Sequence, residues 1–332
     1  MNGYAGVKTP DMVPSRLRFF PGFSASSCLF LPLPASSCLF LPLPASSCLF
    51  QPFPAMFVVD LHCHSTASDG LLAPADLVRR AADNGVTLLA LTDHDTLDGL
   101  PEARAEAERH GLRFIHGVEI SIEWSGAQVH VLGHDFDANN AALTAGLASI
   151  HHGRIERARR MADALAAIGL DGCFEGAMRH TGNPGLISRA HFARHLVERG
   201  VCKDIRSVFE AYLVPDKPGY VEHRWPSLQD AVDWVNGAGG LASIAHPTRY
   251  KFTRSALRQL LKEFKASGGR GLEVVSGAMP REHIAHCAQL AETLGLAATC
   301  GSDFHGAGES LTDLGRIAPL PDGLTPIWEL FR

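Results

Sequence analysis

The sequence predicts an α/β fold whose parallel sheet is either open or closed into a barrel. Short apolar strand segments alternate with helical segments over residues 56–136, and the alternation returns over residues 226–332. Repeated strand–helix units of this kind are typical of parallel sheets. Between them, residues 137–225 are mainly helical and polar, which indicates an inserted helical subdomain. Residues 1–55 show neither pattern.

Residues 1–55 are dominated by a ten-residue repeat. The sequence ASSCLFLPLP occupies residues 25–34 and 35–44, and ASSCLFQPFP follows at 45–54. Its paired prolines prevent a continuous helix, and its apolar runs are too short to span a bilayer. We therefore expect a disordered, low-complexity extension outside the fold, best explained by an over-extended gene start ahead of Met56. A secretory signal following RLRFF is the alternative.

Six segments make up the first half of the predicted barrel. Two of them carry clear helix signals, because Pro74 stands in a first turn and Gly85 and Gly111 stand where helices end. The last two strands are expected to pair through a turn near Gly126. The predicted strands cover residues 56–64, 86–95, 112–124 and 127–136, and the predicted helices cover residues 73–85 and 98–111.

The second half of the chain completes the pattern. The insertion carries one long helical stretch or two over residues 139–170 and a further helix over residues 188–200. Ser227 is the expected N-cap of the helix that returns the chain to the barrel. The remaining predicted helices cover residues 227–240, 253–269 and 280–295, and the remaining strands cover residues 241–247, 270–277 and 296–306.

The net charge and the cysteine spacing argue against some classes of function. The chain has 332 residues, is 46% hydrophobic and 20% charged, and has a net charge of −5. A negative charge argues against nucleic acid held on a broad basic surface, although a small nucleotide at a metal site remains compatible with it. Of the eight cysteines, those beyond the repeat show no Cys-x-x-Cys spacing. We therefore expect free thiols in a reducing compartment, and a cytoplasmic location.

Histidines and carboxylates gather near the ends of the predicted strands. His62 and His64 are two residues apart, so their side chains point to the same face at the end of the first strand. In barrel enzymes the carboxyl ends of the strands form the rim on which active sites assemble. The candidate site residues are His62, His64, Asp69, His94, Glu119, His130, His246, Asp303 and His305.

These six imidazoles and three carboxylates predict a metal site. Nitrogen and oxygen donors suit manganese, zinc or iron(II) better than a metal that prefers thiolates. Nine ligands are too many for one ion and fit two or three ions that share bridging carboxylates. A buried cluster with this many ionisable groups would also be costly without cations.

Each candidate taken alone has a structural explanation. A single histidine at a strand end is commonly a hydrogen-bonded rim residue. Asp69 could be a turn residue, and His130 could pack across strands, with His134 as the alternative ligand nearby. Asp93 and Asp95 flank a candidate histidine and could orient its ring. The occurrence of H-x-H, T-D-H-D, G-V-E, A-H-P and S-D-F-H at successive strand ends favours the metal site.

These motifs resemble those of the PHP superfamily, named for polymerase and histidinol phosphatase. DLHCHS, LTDHD, GVEIS, AHP and GSDFH occur in the family's order and extend over most of residues 57–306. The resemblance implies a distorted seven-stranded β/α barrel, a trinuclear metal site and phosphoester hydrolysis. By this resemblance all nine candidates are metal ligands. It also implies a catalytic water that bridges the metals and is held at Asp69, Glu119 and Asp303. Manganese is the expected metal, and zinc, iron or magnesium are the alternatives.

Within this superfamily the sequence is most similar to the 3′,5′-nucleoside bisphosphate phosphatase / RNase AM group. HSTASDG, VHVLG, ISRAHFARHLVERG, KPGYV and AHPTRY carry that resemblance. It implies removal of the 3′-phosphate from nucleoside 3′,5′-bisphosphates, such as pAp to AMP, and 5′-to-3′ trimming of short RNA with a 5′-monophosphate. Both reactions break a bond beyond the 3′ oxygen of a 5′-phosphorylated nucleotide. His134 departs from the pattern, which has an apolar residue there.

The 5′-phosphate of such a substrate needs binding residues of its own. Arg189 and His191 stand in the first turn of a predicted helix, and a helix N-terminus with a guanidinium suits a phosphate. A solvated helix face is the alternative explanation for Arg189. His195 lies one turn beyond His191, so a metal-binding pair is conceivable there, although ordinary helix positions are preferred. The further candidates for phosphate binding are Lys217, Tyr220 and Arg249.

Two alternative functions, another phosphatase and a non-catalytic binding module, fit the sequence less well. Another PHP phosphatase, such as one acting on histidinol phosphate, is disfavoured by the SRAHFARHL helix in the insertion. A PHP domain kept as a non-catalytic nucleic-acid-binding module is disfavoured because such domains typically lose ligands, and all nine are present here. The expected partner is a small nucleotide or a short RNA, with no membrane and no protein partner.

Overall fold

A computed structural model describes residues 57–151 and 153–332 of the chain. The repeat and the expected disorder of residues 1–55 lie outside the described residues. Seven strands form one sheet in the order β1 to β7. They are β1 (Val59–Asp60), β2 (Leu88–Leu91), β3 (Arg113–Trp124), β4 (Ala127–His134), β5 (Leu241–Ile244), β6 (Gly271–Ser276) and β7 (Ala297–Gly301).

The sheet curls until its two edges meet. Leu61 N–H donates to the carbonyl of Cys300 at 3.0 Å, and a parallel bridge joins Cys63 to Phe304 just beyond β1 and β7. Gly301 permits this close approach, since a Cβ there would lie 2.2 Å from the Cβ of His62. The result is a nearly closed, distorted seven-stranded barrel, as the resemblance implied.

One strand departs from the parallel pattern. The pairs β1–β2, β2–β3, β5–β6 and β6–β7 are parallel, whereas β4 runs antiparallel to both β3 and β5. The reason is the turn between β3 and β4, where Ser125 and Gly126 both have positive φ, at 52° and 75°. Positive φ at both central residues makes a tight hairpin whose strands must be antiparallel. The pairing through Gly126 was expected from the sequence. Because β4 is antiparallel to both of its neighbours, the sheet is not parallel throughout.

Ten helices accompany the strands in the described part of the chain. Pro74 opens the first helix, and Gly111, with φ of 64°, ends the second in the left-handed conformation. Ser227 caps its helix by accepting a hydrogen bond from Asp230 N–H, as predicted. The helices are α1 (Pro74–Asp83), α2 (Leu100–His110), α3 (Ala141–His151), α4 (Arg154–Ala166), α5 (Cys173–Arg179), α6 (Arg189–Glu198), α7 (Ile205–Val208), α8 (Leu228–Gly237), α9 (Arg254–Ala266) and α10 (Arg281–Leu294), with a π turn at Phe209–Leu213 and 3₁₀ turns at Pro184–Leu186 and Ile327–Leu330.

The apolar side chains form two clusters. The larger joins the barrel to its surrounding helices, and it includes Leu143, Leu147 and Ile150 of α3. The smaller lies within the insertion and is built from α4 to the π turn, with Phe192 and Leu196 fully buried. Helix α3 therefore belongs to the core shared by the barrel and its surrounding helices, where it packs against α8. It lies within the predicted insertion 137–225, but the separate packing of the insertion begins at α4.

Polar contacts join the insertion to the loops at the barrel rim. Arg194 of α6 forms two hydrogen bonds to the carboxylate of Glu309, both at 2.7 Å, and donates to the carbonyl of Asp69 at 2.5 Å. Arg154 of α4 pairs with the buried carboxylate of Asp95. These contacts fix α4 and α6 over the rim. Among the described residues no helix is long and apolar enough to cross a membrane.

Candidate metal centre

The barrel brings all nine candidate residues to one place. His62 and His64 follow β1, His94 follows β2, and a parallel bridge sets His94 beside Glu119 in β3. The remaining residues reach the same rim from β4, from the segments after β5 and β7, and from the loop after β1. Three overlapping groups of donor atoms, each within 4.8 Å, are His64, Asp69, His94 and His305; His62, His64, Glu119 and Asp303; and His94, Glu119 and His130.

Glu119 lies at the centre of the cluster. Its Oε2 is 3.2 Å from Nε2 of both His62 and His64, and also 3.2 Å from Nδ1 of His94. Its Oε1 is 2.8 Å from both Nδ1 of His130 and Nε2 of His246. One buried carboxylate therefore faces five imidazoles, an arrangement suited to a carboxylate that bridges cations.

Asp69 lies among three imidazoles without touching them. Its Oδ1 is 3.5 Å from Nε2 of His305 and 4.0 Å from the nearest nitrogens of His64 and His94. Ligand atoms that share one cation, each about 2.1 Å from it, are separated by roughly 3–4 Å. The spacing around Asp69 therefore fits an ion better than it fits hydrogen bonds.

Unpartnered polar atoms provide a direct test of whether metals fit. Buried donor and acceptor atoms normally find a partner, and one left alone costs about 1–3 kcal/mol. In the described part of the chain, six candidates each have a buried nitrogen or oxygen without a hydrogen-bond partner. They are His62 Nε2, His64 Nδ1, Asp69 Oδ1, His94 Nδ1, Glu119 Oε2 and His246 Nδ1. This donor set suits divalent cations, and metal ligation would satisfy these atoms.

The charges in the cluster are strongly coupled. Burial raises the pKa of Glu119, but the surrounding imidazoles, His94 and His62 foremost, outweigh it and hold that pKa well below its usual range. Burial likewise opposes ionisation of Asp303, yet Arg249 and His62 keep its pKa well below the usual value. Burial lowers the pKa of His94 to about 3, against the pull of Glu119 and Asp69. The carboxylates are therefore ionised and the His94 imidazole neutral, which are the states that ligate metals.

The backbone is strained at two of the candidates. His246 and Asp303 adopt positive φ, at 27° and 52°. Non-glycine residues in this region cost about 1–3 kcal/mol and occur disproportionately at functional sites. Each stands two residues beyond the end of a barrel strand, at a point where its side chain joins the cluster.

Glu273 is a site residue that the sequence analysis missed. It is fully buried in β6, and its Oε1 accepts a hydrogen bond from Nδ1 of His62 at 2.9 Å. Its Oε2 accepts one from the backbone N–H of His246 at 2.5 Å. A single carboxylate inside the apolar strand GLEVVS was the signal that could have revealed it.

The two aspartates beside His94 bond to groups other than its ring, so they do not provide the orienting contact considered from the sequence. Asp93 accepts hydrogen bonds from Ser65 N–H, Ser65 Oγ and Ser68 Oγ at 2.7, 2.6 and 2.6 Å. Asp95 accepts from the N–H of Ser121 at 2.6 Å and pairs with an arginine of α4. Both aspartates hold loops of the rim in place.

His134, the alternative to His130 as a ligand, lies apart from the cluster. Its Nε2 donates to the carbonyl of Leu61 at 2.8 Å, and its side chain is fully buried. Burial lowers its pKa to about 4, against the effect of this hydrogen bond. His134 is a neutral structural residue that links β4 to the end of β1.

Arg189 and His191 lie in the first turn of α6, as predicted. The guanidinium of Arg189 donates to Gln128 Oε1 at 2.9 Å and to the Leu213 carbonyl at 3.3 Å. Nδ1 of His191 accepts from the backbone N–H of Ser188 at 2.9 Å, so its proton is on Nε2, a buried atom without a partner. Burial lowers the pKa of His191 to about 4, opposed by the charge of Asp69.

The other phosphate-binding candidates are more dispersed. Arg249 forms an ion pair with Asp303 and so borders the metal cluster. Tyr220 is half-buried near the guanidinium of Arg189, whereas Lys217 is exposed. The structure therefore places Arg249 at the cluster and Tyr220 with the helix α6 residues, and it leaves Lys217 at the surface.

Two arginines of α4 extend the positive charge near Arg189. Arg154 and Arg157 are both buried, and their guanidinium groups stack on the ring of Trp225 at 5.2 and 5.6 Å from its centroid. Burial, with the neighbouring charges of Arg189 and Arg154, lowers the pKa of Arg157 to about 9. The basic run GRIERARR was the sequence signal for this group. Buried cations this crowded favour binding of an anion.

Comparisons with known proteins identify the family of this chain. The family model for the PHP domain matches residues 60–222. A 3′,5′-nucleoside bisphosphate phosphatase of Chromobacterium violaceum is 51% identical over 270 residues, which is 81% of this chain and 95% of that protein. The chain belongs to the PHP domain family. This PHP protein is also 39% identical over 272 residues to a 5′-3′ exoribonuclease of Haemophilus influenzae, covering 82% of the chain and 98% of the relative.

A solved structure shares the fold of this PHP protein. It is an amidohydrolase from Chromobacterium violaceum, determined with bound sulfate and no metal. The TM-score is 0.80 at 51% sequence identity, with 82% of this chain and 95% of the other covered. The correspondence extends over nearly the whole of that protein, so it includes the insertion as well as the barrel.

Proposed function

We propose that this PHP protein is a metal-dependent phosphoesterase that removes the 3′-phosphate of nucleoside 3′,5′-bisphosphates. Short RNA with a 5′-monophosphate is the second substrate, trimmed in the 5′-to-3′ direction. The observation that carries the proposal is the cluster of nine His, Asp and Glu residues, six of which have a buried atom without a hydrogen-bond partner. The relatives named for these two activities, at 51% and 39% identity, support the choice of substrate.

The metal ligands are proposed to be the nine residues of the cluster. Three ions are proposed, because three overlapping groups of donor atoms share His64, His94 and Glu119. Divalent cations held there would supply Lewis acidity at the phosphoryl group and a nucleophilic water at neutral pH, near the carboxylates Asp69, Glu119 and Asp303. Manganese is the proposed metal, since the set holds only imidazole and carboxylate donors.

The 5′-phosphate is proposed to bind at the arginines between α4 and α6. Arg189 stands in the first turn of α6, where the helix dipole adds to its charge, and Arg154 and Arg157 lie close by. Tyr220 borders the same group, and Lys217 is proposed at its edge. Arg249 is proposed to contact a substrate phosphate from the side of the metal cluster, where it pairs with Asp303. A phosphate here would offset the cost of burying Arg157, whereas Arg154 is already paired with Asp95.

His191 is proposed to contact the substrate between these two regions. Its Nδ1 is committed to the N–H of Ser188, so the proton on Nε2 is free to be donated. Ser188, whose N–H bonds to His191, also donates its hydroxyl to Asp69 of the cluster at 3.3 Å, which supports a position for His191 close to the proposed ligands. A neutral imidazole in this position can hold a phosphate oxygen, or the 3′ oxygen, without adding a fixed charge.

The cysteines indicate the redox state of the compartment in which the protein works. The five cysteines beyond the repeat, Cys63, Cys173, Cys202, Cys287 and Cys300, are all free thiols in the structure. Free thiols are typical of a reducing compartment, and a cytoplasmic location is proposed on that basis. The proposed partner is the nucleotide or short RNA substrate.

The proposal is tested by phosphate release from adenosine 3′,5′-bisphosphate by the manganese-loaded full chain. Assays with 3′-AMP, 5′-AMP and histidinol phosphate run beside it, with Asp303→Ala as the inactive control. Rapid release from the bisphosphate and slow release from 3′-AMP are expected. Release from histidinol phosphate alone would instead support the rival phosphatase. Binding of RNA without any hydrolysis would support a non-catalytic module.

A further inference from the structure

A second group of metal-binding side chains lies within the insertion. His180 follows α5, and His195 and Glu198 stand three residues apart on α6. One donor atom of each lies within 4.8 Å of the others. Nε2 of His180 is 3.1 Å from Oε2 of Glu198, and Nδ1 of His195 is 3.9 Å from the same oxygen. We propose that His180, His195 and Glu198 form a zinc site, separate from the barrel cluster, that links α5 to α6.

The environment of His195 is the observation that points to a ligand. His195 is 4% exposed, and in the described part of the chain neither of its ring nitrogens has a hydrogen-bond partner. The pairing of His180 with Glu198 is complete without His195, so a surface ion pair leaves both ring nitrogens unexplained. A buried imidazole without partners is costly, and a cation shared with the other two side chains satisfies it.

The packing of the ring determines which nitrogen is the ligand. Gly176 of α5 lies against the ring, and a Cβ at that position would be 2.2 Å from Nε2 of His195. Nε2 is thus closed off by the α5 backbone, and Nδ1 faces the carboxylate of Glu198. The neighbouring cation Arg199 is directed to the carbonyl of Asp171, to which it donates at 2.6 Å.

The donor set favours zinc over the hard cations. Two imidazoles and one carboxylate are a known zinc combination, in which the ligand atoms are each about 2.0–2.2 Å from the ion and a fourth position stays open. Two ligand atoms at such distances from one ion are roughly 3–4 Å apart, and the observed separations are 3.1 and 3.9 Å. Glu198 is exposed, so the fourth position can face solvent. An ion here would stabilise α6, whose first turn carries Arg189 and His191.

The experiment counts tightly bound zinc in the full chain by competition with a chromophoric chelator. The variants are His180→Gln and Glu198→Gln, neither of which belongs to the barrel cluster. Glu175→Gln, at an exposed carboxylate of α5, is the matched control. The wild type and the control are expected to bind one more zinc ion than either variant. Equal counts in all four proteins would overturn the proposal.

Hydrogen exchange locates the same site independently of the count. Addition of zinc should slow exchange of backbone amides in α5 and α6 of the wild type, and it should leave Glu198→Gln unchanged. Slowing that is confined to the barrel strands in both proteins would contradict the proposal. Neither the zinc count nor the exchange pattern depends on turnover, so a failure of the proposed hydrolase activity would leave both interpretable.

Discussion

Glu273 holds His62 by a 2.9 Å hydrogen bond from the imidazole Nδ1 to the carboxylate Oε1. This bond fixes the tautomer of His62 and directs its Nε2 toward Glu119 and Asp303, each 3.2 Å away. The other oxygen of Glu273 accepts from the backbone N–H of His246, a residue with strained φ. One carboxylate outside the predicted ligand set therefore positions two of its members.

Replacement of Glu273 by glutamine should weaken metal binding while leaving the fold intact. The amide cannot accept both hydrogen bonds in the same way, and loss of such an outer contact typically costs 10–100-fold in metal affinity. The measurement is a manganese titration followed by calorimetry. Glu292→Gln, at an exposed carboxylate of α10, is the control and should bind manganese as the wild type does. Unchanged affinity in Glu273→Gln would show that His62 needs no such support.

Replacement of Arg189 by alanine should weaken binding of the 5′-phosphate without affecting the chemistry at the 3′-phosphate. Hydrogen bonds to charged groups contribute about 1.5–3 kcal/mol, so kcat/KM for adenosine 3′,5′-bisphosphate should fall roughly 10–100-fold. The already slow reaction of 3′-AMP, which lacks the 5′-phosphate, should change little. Arg258→Ala, at an exposed residue of α9, controls for loss of positive charge. An equal fall for both substrates would place Arg189 outside the 5′-phosphate site.

The sequence predicts the metal cluster better than its surroundings, for a physical reason. His62 and His64 share a face because strand geometry dictates it, and the turn at Gly126 follows from local backbone preferences. The burial of Arg157 does not follow from such local rules. In the sequence it resembles a solvated helix face, and only the packing of α4 against Trp225 removes it from water.

The packing of helix α3 and the role of Glu273 are two further features that local sequence patterns do not determine. An amphipathic pattern shows that α3 buries one face but not which core receives it, and Leu143 and Leu147 turn out to belong to the core shared by the barrel and its surrounding helices. A lone carboxylate in β6 becomes meaningful only when the barrel closes and brings His62 beside it. Contacts between residues distant in sequence, as these are, depend on tertiary packing.

Metal removal should reveal the cost of the unpartnered atoms. Without cations, the six buried atoms lack hydrogen bonds, and a ligand that binds only the folded state stabilises it by an amount that grows with the logarithm of its concentration above Kd. We expect chelation to abolish phosphate release and to lower the unfolding temperature by several degrees, with about 2–4 °C for each kcal/mol lost. Calorimetric scans with EDTA and with excess manganese measure this. Asp303→Ala should show a smaller difference between the two scans, since it has lost one proposed ligand.

His134 should make the stability of the protein sensitive to acid. Its pKa is about 4 in the folded chain, lowered by burial, and about 6.5 when unfolded. Between these values the unfolded state binds the additional proton, so stability from this group is complete above pH 6.5 and is lost as the pH falls toward 4. The shift corresponds to about 3 kcal/mol.

The test for His134 is urea unfolding of the wild type and of His134→Leu at pH 7 and at pH 4.5. The leucine variant loses the hydrogen bond to the Leu61 carbonyl and should be less stable than the wild type at pH 7. Since leucine binds no proton, the difference between the two proteins should shrink at pH 4.5, and it can reverse there. A difference that is the same at both pH values would mean that His134 is not held neutral in the folded chain.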